Sequence, residues 1–171
     1  MLQVNETETL IADDIVKWEP CTEKDIICAR FSLDEWHHIV TDIHSDGEWY
    51  EFLKENSDFV RCFVLKRCDN NHPLAFIYLL KEYDNARIIS IHGGGWESPL
   101  MYYRGYILMI KHLLNQGIKV RTYCQLSNPT AIRFDRSVGF VPYRYTEEEV
   151  FMWISHKRLE NSKLYKRFYK K

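Results

Sequence analysis

Two stretches concentrate the residues able to do chemistry: IHGGGWESPLMYYRG (residues 91–105) and NPTAIRFDRSVGF (residues 128–140). The first leaves an apolar run, passes Gly93, Gly94 and Gly95, and starts a helical pattern. Glycine has no Cβ, so three in a row cost backbone entropy unless the chain needs unusual dihedrals or a close approach. Ser98 is placed as an N-cap and Pro99 suits a first helical turn. The free N–H groups and positive dipole end of such a helix start can hold a diphosphate. Two familiar nucleotide loops are excluded. A Walker loop needs Gly-Lys-Ser/Thr, and no Lys follows these glycines. A Rossmann fingerprint needs a Gly where Ser98 stands, and a βαβ unit where this sequence reads as hairpins.

His92 closes the apolar run, so it is the best-placed base by position; an imidazole's ordinary pKa of about 6.5 suits proton abstraction. A turn histidine bonded to nearby backbone is the competing reading. In LDEWHHIVTDIH (residues 33–44), Asp34, His38 and Asp42 recur at i, i+4 and i+8 beside His37 and His44. That spacing could present ligands to a metal, but a solvated helix face is favoured, and no metal site is expected. Trp36, Trp49, Tyr50 and Phe52 could line an acceptor pocket or simply pack.

The elements that must position these residues follow from periodicity. IVKWEP (15–20) reads as a strand. TEKDIICARF (22–31) opens with a Thr-x-x-Asp cap, and further helices are read over 33–43 and 47–56. Period-two patterns then mark strands at 59–68, 74–83 and 87–92, joined by the turns DNNHP and DNA. A helix over 100–117 stops at Gly117, a strand covers 119–125, and Asn128 with Pro129 starts a helix ending at Gly139. Residues 141–145 and 149–159 read as a closing hairpin across TEEE. The order indicates an α/β (α+β) fold with a mixed, mostly antiparallel sheet of six to seven strands flanked by helices. One domain is expected over residues 1–171, with 1–14 frayed and 160–171 a solvated basic tail.

Composition agrees. The 171 residues are 46% hydrophobic and 27% charged, as in ordinary globular chains. No apolar run reaches the ~18 residues of a membrane span. The N-terminus lacks a basic-then-apolar leader pattern. Five cysteines without a C-x-x-C pair read as reduced thiols, which suits a cytoplasmic protein. Net charge is −1, yet residues 1–60 carry 15 acidic against 4 basic side chains, and residues 61–171 carry 9 against 19. A C-terminal half that attracts anions is one reading; solvated faces are the plainer one. The basic tail comes without an aromatic RNA-reading motif, so nucleic acid is disfavoured as a partner.

The segment NPTAIRFDRSVGF resembles the second acetyl-CoA motif of the GNAT-type N-acetyltransferases. In that motif an Asn ends the fifth strand and an Ala-containing helix leads to Gly-Phe. Asn128, Ala131, Phe134, Gly139 and Phe140 match it, and the order of elements over about residues 15–156 fits as well. The resemblance implies a GNAT-like acyl-CoA acyltransferase fold whose sheet splays between RIISIH and KVRTYCQ. The pantetheine arm of acetyl-CoA would insert there, along residues 88–92 with Ile89 and Ile91. The diphosphate would meet the loop through Gly95, Trp96, Glu97, Ser98, Leu100 and Met101, the glycines themselves turning the corner. Asn128, Ala131 and Phe134 would border the arm.

Two departures stand out. The Gln/Arg-x-x-Gly-x-Gly/Ala positions of the family's loop are occupied by Trp96, Pro99 and Met101, so its usual glycines are absent. Asp135 replaces the Tyr that in many members protonates the leaving thiolate; an aspartate at its ordinary pKa of about 3.9 is a poor acid at neutral pH. Tyr143 and Tyr145 are substitutes to consider. The implied reaction is acetyl transfer to a primary amine, with His92, Asp135 and Tyr143 as catalytic candidates. The acceptor would be a small-molecule or peptide amine, cationic if the acidic half flanks it. A non-catalytic acyl-CoA or ligand-binding module of the same fold is the alternative, and a homodimer is an open option.

Overall fold

The computed structural model describes residues 10–22, 25, 55, 58, 60–82, 85–95 and 98–170. The helices read over 22–56, with the Asp34–His38–Asp42 face and Trp36, Trp49, Tyr50 and Phe52, lie outside these residues apart from isolated positions. The Thr22 cap is described: its N–H donates to Asp25 Oδ2 at 3.0 Å, and the Asp25 N–H returns a bond to Thr22 Oγ1 at 3.3 Å.

Among the described residues the strands are β1 (Ile11–Ala12), β2 (Val16–Pro20), β3 (Val60–Arg67), β4 (Pro73–Glu82), β5 (Asn85–Gly95), β6 (Lys119–Gln125), β7 (Val141–Tyr145) and β8 (Glu149–Ile154). The helices are α1 (Pro99–Asn115), α2 (Pro129–Val138), α3 (His156–Asn161) and α4 (Lys163–Tyr169). One eight-stranded sheet runs β1-β2-β3-β4-β5-β6-β8-β7. Every pairing is antiparallel except β5 with β6, which is parallel. A parallel pair needs a crossover, and α1 supplies it.

Alternation and caps explain most elements. Val16 and Trp18 on β2 and Val120, Thr122 and Cys124 on β6 point into the core at period two. Ser98 accepts from the Met101 N–H at 3.4 Å and Asn128 from the Ala131 N–H at 3.1 Å. Pro follows each cap, where its absent N–H costs nothing. The core lies between the sheet and α1, which buries Tyr106, Ile107, Met109 and Ile110 against Trp18, Leu65, Ile77 and Ile91. Gly105 allows the closest approach: a Cβ there would stand 2.5 Å from the Leu65 methyls. Its carbonyl accepts the Trp18 indole N–H at 2.7 Å.

The structure corrects five sequence expectations. The strand count is eight, because Ile11–Ala12 adds a short edge strand to the expected six to seven. Residues 10–14 are correspondingly not frayed: the Leu10 N–H donates to Trp18 O at 2.8 Å, and Asp13 accepts from the N–H groups of Ile15 and Val16. The glycine triplet does not turn a corner. Gly93, Gly94 and Gly95 continue β5, opposite Ile77, Phe76 and Ala75. At Gly93 a Cβ would overlap the Phe76 carbonyl, so the β4 main chain comes too close for any side chain. The closing strand ends at Ile154 instead of 159, since Ser155 caps a new helix by accepting from the Arg158 N–H.

The basic tail is likewise folded. Leu159 and Tyr165 are buried, Lys111 Nζ donates to the Tyr165 hydroxyl at 3.0 Å, and the Tyr169 hydroxyl donates to Asp13 Oδ2 at 3.0 Å. Arg104 completes this clamp. Its Nε bonds Asp13 at 2.6 Å and its Nη2 bonds Asp14 at 2.8 Å, while the guanidinium lies over the rings of Phe168 and Tyr169. Cys21, Cys62, Cys68 and Cys124 are free thiols. No helix among the described residues is long and apolar enough to cross a membrane.

Candidate functional site

The parallel ladder between β5 and β6 is only three pairs long: Ile88 with Lys119, Ile89 with Val120, and Ser90 with Arg121. Beyond it both strands continue apart. Ile91 to Gly95 stay paired with β4, and Thr122 to Gln125 stay paired with β8. The result is a fork in the sheet. At its vertex the Thr122 hydroxyl donates to the Ile91 carbonyl at 2.9 Å, a buried side-chain bond standing where the next ladder bond would be. Past this point the β5 edge offers main-chain groups and, at Gly93–Gly95, no side chains. An extended ligand can pair with such an edge as a strand would. The edge available to a ligand is thus residues 91–95; residues 88–90, expected from sequence to be open, are paired.

Around the fork the structure places several candidates. Ile89 and Ile91 are buried in the core. His92 stands opposite Tyr78 in the forked part of β5, three residues before its end. Ser98 caps α1, Leu100 is exposed in its first turn, and Met101 packs half-buried against the core. Trp96 and Glu97 lie outside the described residues. On the β6 arm, Asn128 uses its amide oxygen as the α2 cap. Its amide nitrogen has no partner among the described residues and can donate to a ligand carbonyl. Ala131 and Phe134 pack on the core, and Phe134 meets Tyr102, Tyr103 and Tyr106 at ring distances of 4.9, 4.3 and 5.0 Å.

Behind the β6 arm sits a buried polar cluster. Asp135 is 5% exposed. It accepts from the Tyr106 hydroxyl at 2.9 Å and the Cys124 thiol at 3.1 Å. Burial pushes its carboxyl up to about 6, against the lowering effect of those two hydrogen bonds. Burial next to Asp135 likewise raises the Cys124 thiol and the Tyr106 phenol. Asp135 therefore carries a proton at neutral pH far more often than a surface aspartate does. From sequence, a raised carboxyl is one of the options beside a substitute acid.

Tyr143 is not brought to this cluster. It is 46% exposed on β7, under the Arg121 guanidinium at 5.4 Å and beside Phe151. Strand alternation sends Arg121 and Tyr123 to the face opposite Thr122 and Cys124. Tyr143 lines a separate cavity of about 540 Å³ with Arg121, Trp153 and Leu114. Tyr145 is exposed further along β7.

Sequence reasoning missed Thr122, Cys124 and Tyr106. The signals were present: Thr122 and Cys124 continue the buried period of β6, and Tyr106 follows Tyr102 by one helical turn. A hydroxyl or thiol on a buried face must find a partner.

No family model matches the sequence, and no curated protein matches it. Solved structures do. A GNAT-family acetyltransferase from Bacillus anthracis is similar with a TM-score of 0.71 and 12% identity, covering 86% of this chain and 98% of that one. AAC(6')-Ib, in complex with Parmomycin and acetyl-CoA, has a TM-score of 0.70 and 15% identity, covering 88% and 98%. RimL, the ribosomal L7/L12 α-N-protein acetyltransferase, has a TM-score of 0.68 and 12% identity, covering 85% and 92%. The chain has the fold of the GNAT acetyltransferases, over nearly the full length of each.

Proposed function

We propose that this protein is an acetyl-CoA-dependent N-acetyltransferase acting on a primary amine. The observation that carries the reading is the fork: a parallel pair opened beyond Ser90 and Arg121, with a side-chain-free strand edge on one arm. Similar folds are crystallised with coenzyme A and with acetyl-CoA. The pantetheine arm pairs with the β5 edge at residues 91–95, and the Asn128 amide nitrogen holds one of its carbonyls. The diphosphate meets the first-turn N–H groups of α1, where Ser98 already takes the Met101 N–H and the dipole is positive.

In the reaction the neutral amine attacks the thioester carbonyl. The C–N bond forms, the C–S bond breaks, the amine loses a proton and the thiolate gains one. N–H groups of the fork edge stabilise charge on the carbonyl oxygen, as preorganised donors do in other acyl transfers. His92, in the forked part of β5, takes the amine proton. Asp135, with its carboxyl near 6, is protonated in roughly a tenth of molecules at pH 7 and returns a proton toward the thiolate. Tyr143 is left out of this scheme because it is exposed on β7 and lines a separate cavity with Arg121 and Trp153. The acceptor is a cationic amine, attracted by the net charge of −11 on residues 1–60. The proteins of similar fold include enzymes named for spermidine and for ribosomal L7/L12.

The test is release of free thiol from acetyl-CoA by purified protein across a panel of cationic, neutral and acidic amines. Thiol release confined to cationic amines is expected. Release with neutral or acidic amines alone would remove the acceptor assignment. Binding of acetyl-CoA without release on any amine would favour a non-catalytic binding module, a reading that the burial of Asp135 at the usual acid position supports.

A further inference from the structure

Cys21 and Cys62 take no part in the chemistry described above, yet the sheet brings their sulfurs together. Cys21 follows directly on β2, whose last residue, Pro20, stands opposite Phe63 of β3. The same antiparallel register carries Cys21 to Cys62, and the Cys21 N–H donates to the Cys62 carbonyl at 3.0 Å. Their Sγ atoms are 3.2 Å apart in a thiol–thiol hydrogen bond. Both side chains are half-buried, so neither is sealed in the core.

Cross-strand partners that share such a main-chain bond have Cα atoms about 5.5 Å apart. That falls within the span of roughly 4.4–6.8 Å that a disulfide bridges. Bonded sulfurs lie about 2 Å apart, so a small side-chain rotation closes the gap. The other described thiols lack this arrangement. Cys68 is exposed, with its sulfur 3.6 Å from the Asp13 carbonyl, and Cys124 is buried against Asp135. The surroundings also divide the roles. Burial, and then the Cys62 sulfur, push the Cys21 thiol well above its ordinary value. A thiol that keeps its proton is a poor nucleophile, so the first attack falls to Cys62 and the resolving step to Cys21.

We propose that Cys21 and Cys62 are an oxidation site that hydrogen peroxide converts into a reversible disulfide. The Cys62 sulfur attacks one peroxide oxygen, the O–O bond breaks, and the other oxygen leaves as water with the thiol proton. The Cys21 sulfur then attacks the Cys62 sulfenic acid. The S–S bond forms, the S–O bond breaks, and the hydroxyl departs as a second water with the Cys21 proton. Two electrons pass from the sulfurs to the peroxide, and a dithiol in the medium returns them by exchange. The bond closes the 40 residues 22–61 into a loop that begins at the Thr22 cap. Those residues carry ten acidic and four basic side chains, so oxidation fastens both ends of the acidic stretch at one point of β3.

The experiment treats the full reduced chain with hydrogen peroxide, alkylates it in denaturant and maps its peptides by mass spectrometry. A Cys21–Cys62 link is expected, with two of the five thiols blocked and all recovered after dithiothreitol. Closing a loop of this length should raise the melting temperature by about 5–10 °C, a rise that dithiothreitol removes. Cys62→Ser should leave Cys21 a free thiol and show no rise. Cys21→Ala, treated in parallel, should accumulate a Cys62 sulfenic acid that dimedone traps. A link through Cys28, Cys68 or Cys124 in place of this one overturns the proposal, as does sulfinic acid at Cys62 with Cys21 still free. A linked chain that melts no higher than the reduced one overturns it too, since the bond then does not fit the folded protein.

Discussion

Replacing Asp135 with Asn should stabilise the protein above pH 6 and erase part of its pH dependence. The folded carboxyl sits at about 6 against an ordinary 3.8. At 5% exposure its interactions are not screened by solvent. A shift of roughly two pH units is worth ~3 kcal/mol between the two protonation states. The sign follows from proton binding. Between pH 4 and 6 the folded state holds this proton more tightly than the unfolded chain. The group's contribution to stability is therefore full below pH 4 and is lost as pH rises through 6. Asparagine has no charge to bury, and its amide oxygen can still accept from Tyr106. Urea unfolding at several pH values between about 4 and 8, for both proteins, gives the difference directly. The variant should gain up to ~3 kcal/mol at the alkaline end and almost nothing at the acid end. A parallel pH dependence in the two proteins would refute the buried-carboxyl account, and so would a variant less stable at pH 8.

The same group gives a kinetic expectation. If Asp135 is the proton donor, kcat falls as pH rises above 6, and Asp135→Asn lowers kcat while flattening that limb; an unchanged limb assigns it to another group. Thr122→Val removes the hydroxyl that bonds the Ile91 carbonyl at the fork vertex. Leaving that buried acceptor unpaired should cost ~1–3 kcal/mol in denaturant unfolding, and a change under a few tenths would mean the bond contributes nothing. Arg104→Met keeps the stem but breaks the contacts to Asp13 and Asp14. Hydrogen exchange in residues 163–169 should then speed up ahead of the core, because α4 loses its clamp; uniform exchange would argue against it. Gly105→Ala forces a methyl onto Leu65, and the overpacking should cost ~1–3 kcal/mol in thermal unfolding.

Much of the architecture was legible because local chemistry and tertiary contacts agree. Ser98-Pro99 and Asn128-Pro129 mark helix starts whatever surrounds them, and the buried period of Val16 and Trp18 marks a strand. The errors arose where a distant partner decides. Gly93–Gly95 look like a turn because glycine weakens strands, but the nearness of the β4 main chain at Phe76 makes glycine the residue that fits. Residues 160–171 look like a tail because their charges outnumber their apolar residues. Leu159, Tyr165 and Tyr169 find α1 and Asp13, contacts that no local pattern encodes.

The site was legible only in part for the same reason. Asn128, Ala131 and Phe134 belong to one helix start and could be read together. The end of the β5–β6 ladder depends on Thr122 meeting Ile91 across 31 residues. The state of Asp135 depends on Tyr106 and Cys124, each on a different element. Residue types set which groups could react; packing sets their protonation.

The central claim is that acetyl-CoA lies in the fork between β5 and β6. Amide hydrogen exchange with and without acetyl-CoA tests it most directly. Exchange should slow at residues 91–95 of β5, at the first turn of α1 and around Asn128, with little change at the outer strands β1 to β3. Protection confined to other parts of the molecule, with residues 91–95 exchanging as fast as in the free protein, would contradict it.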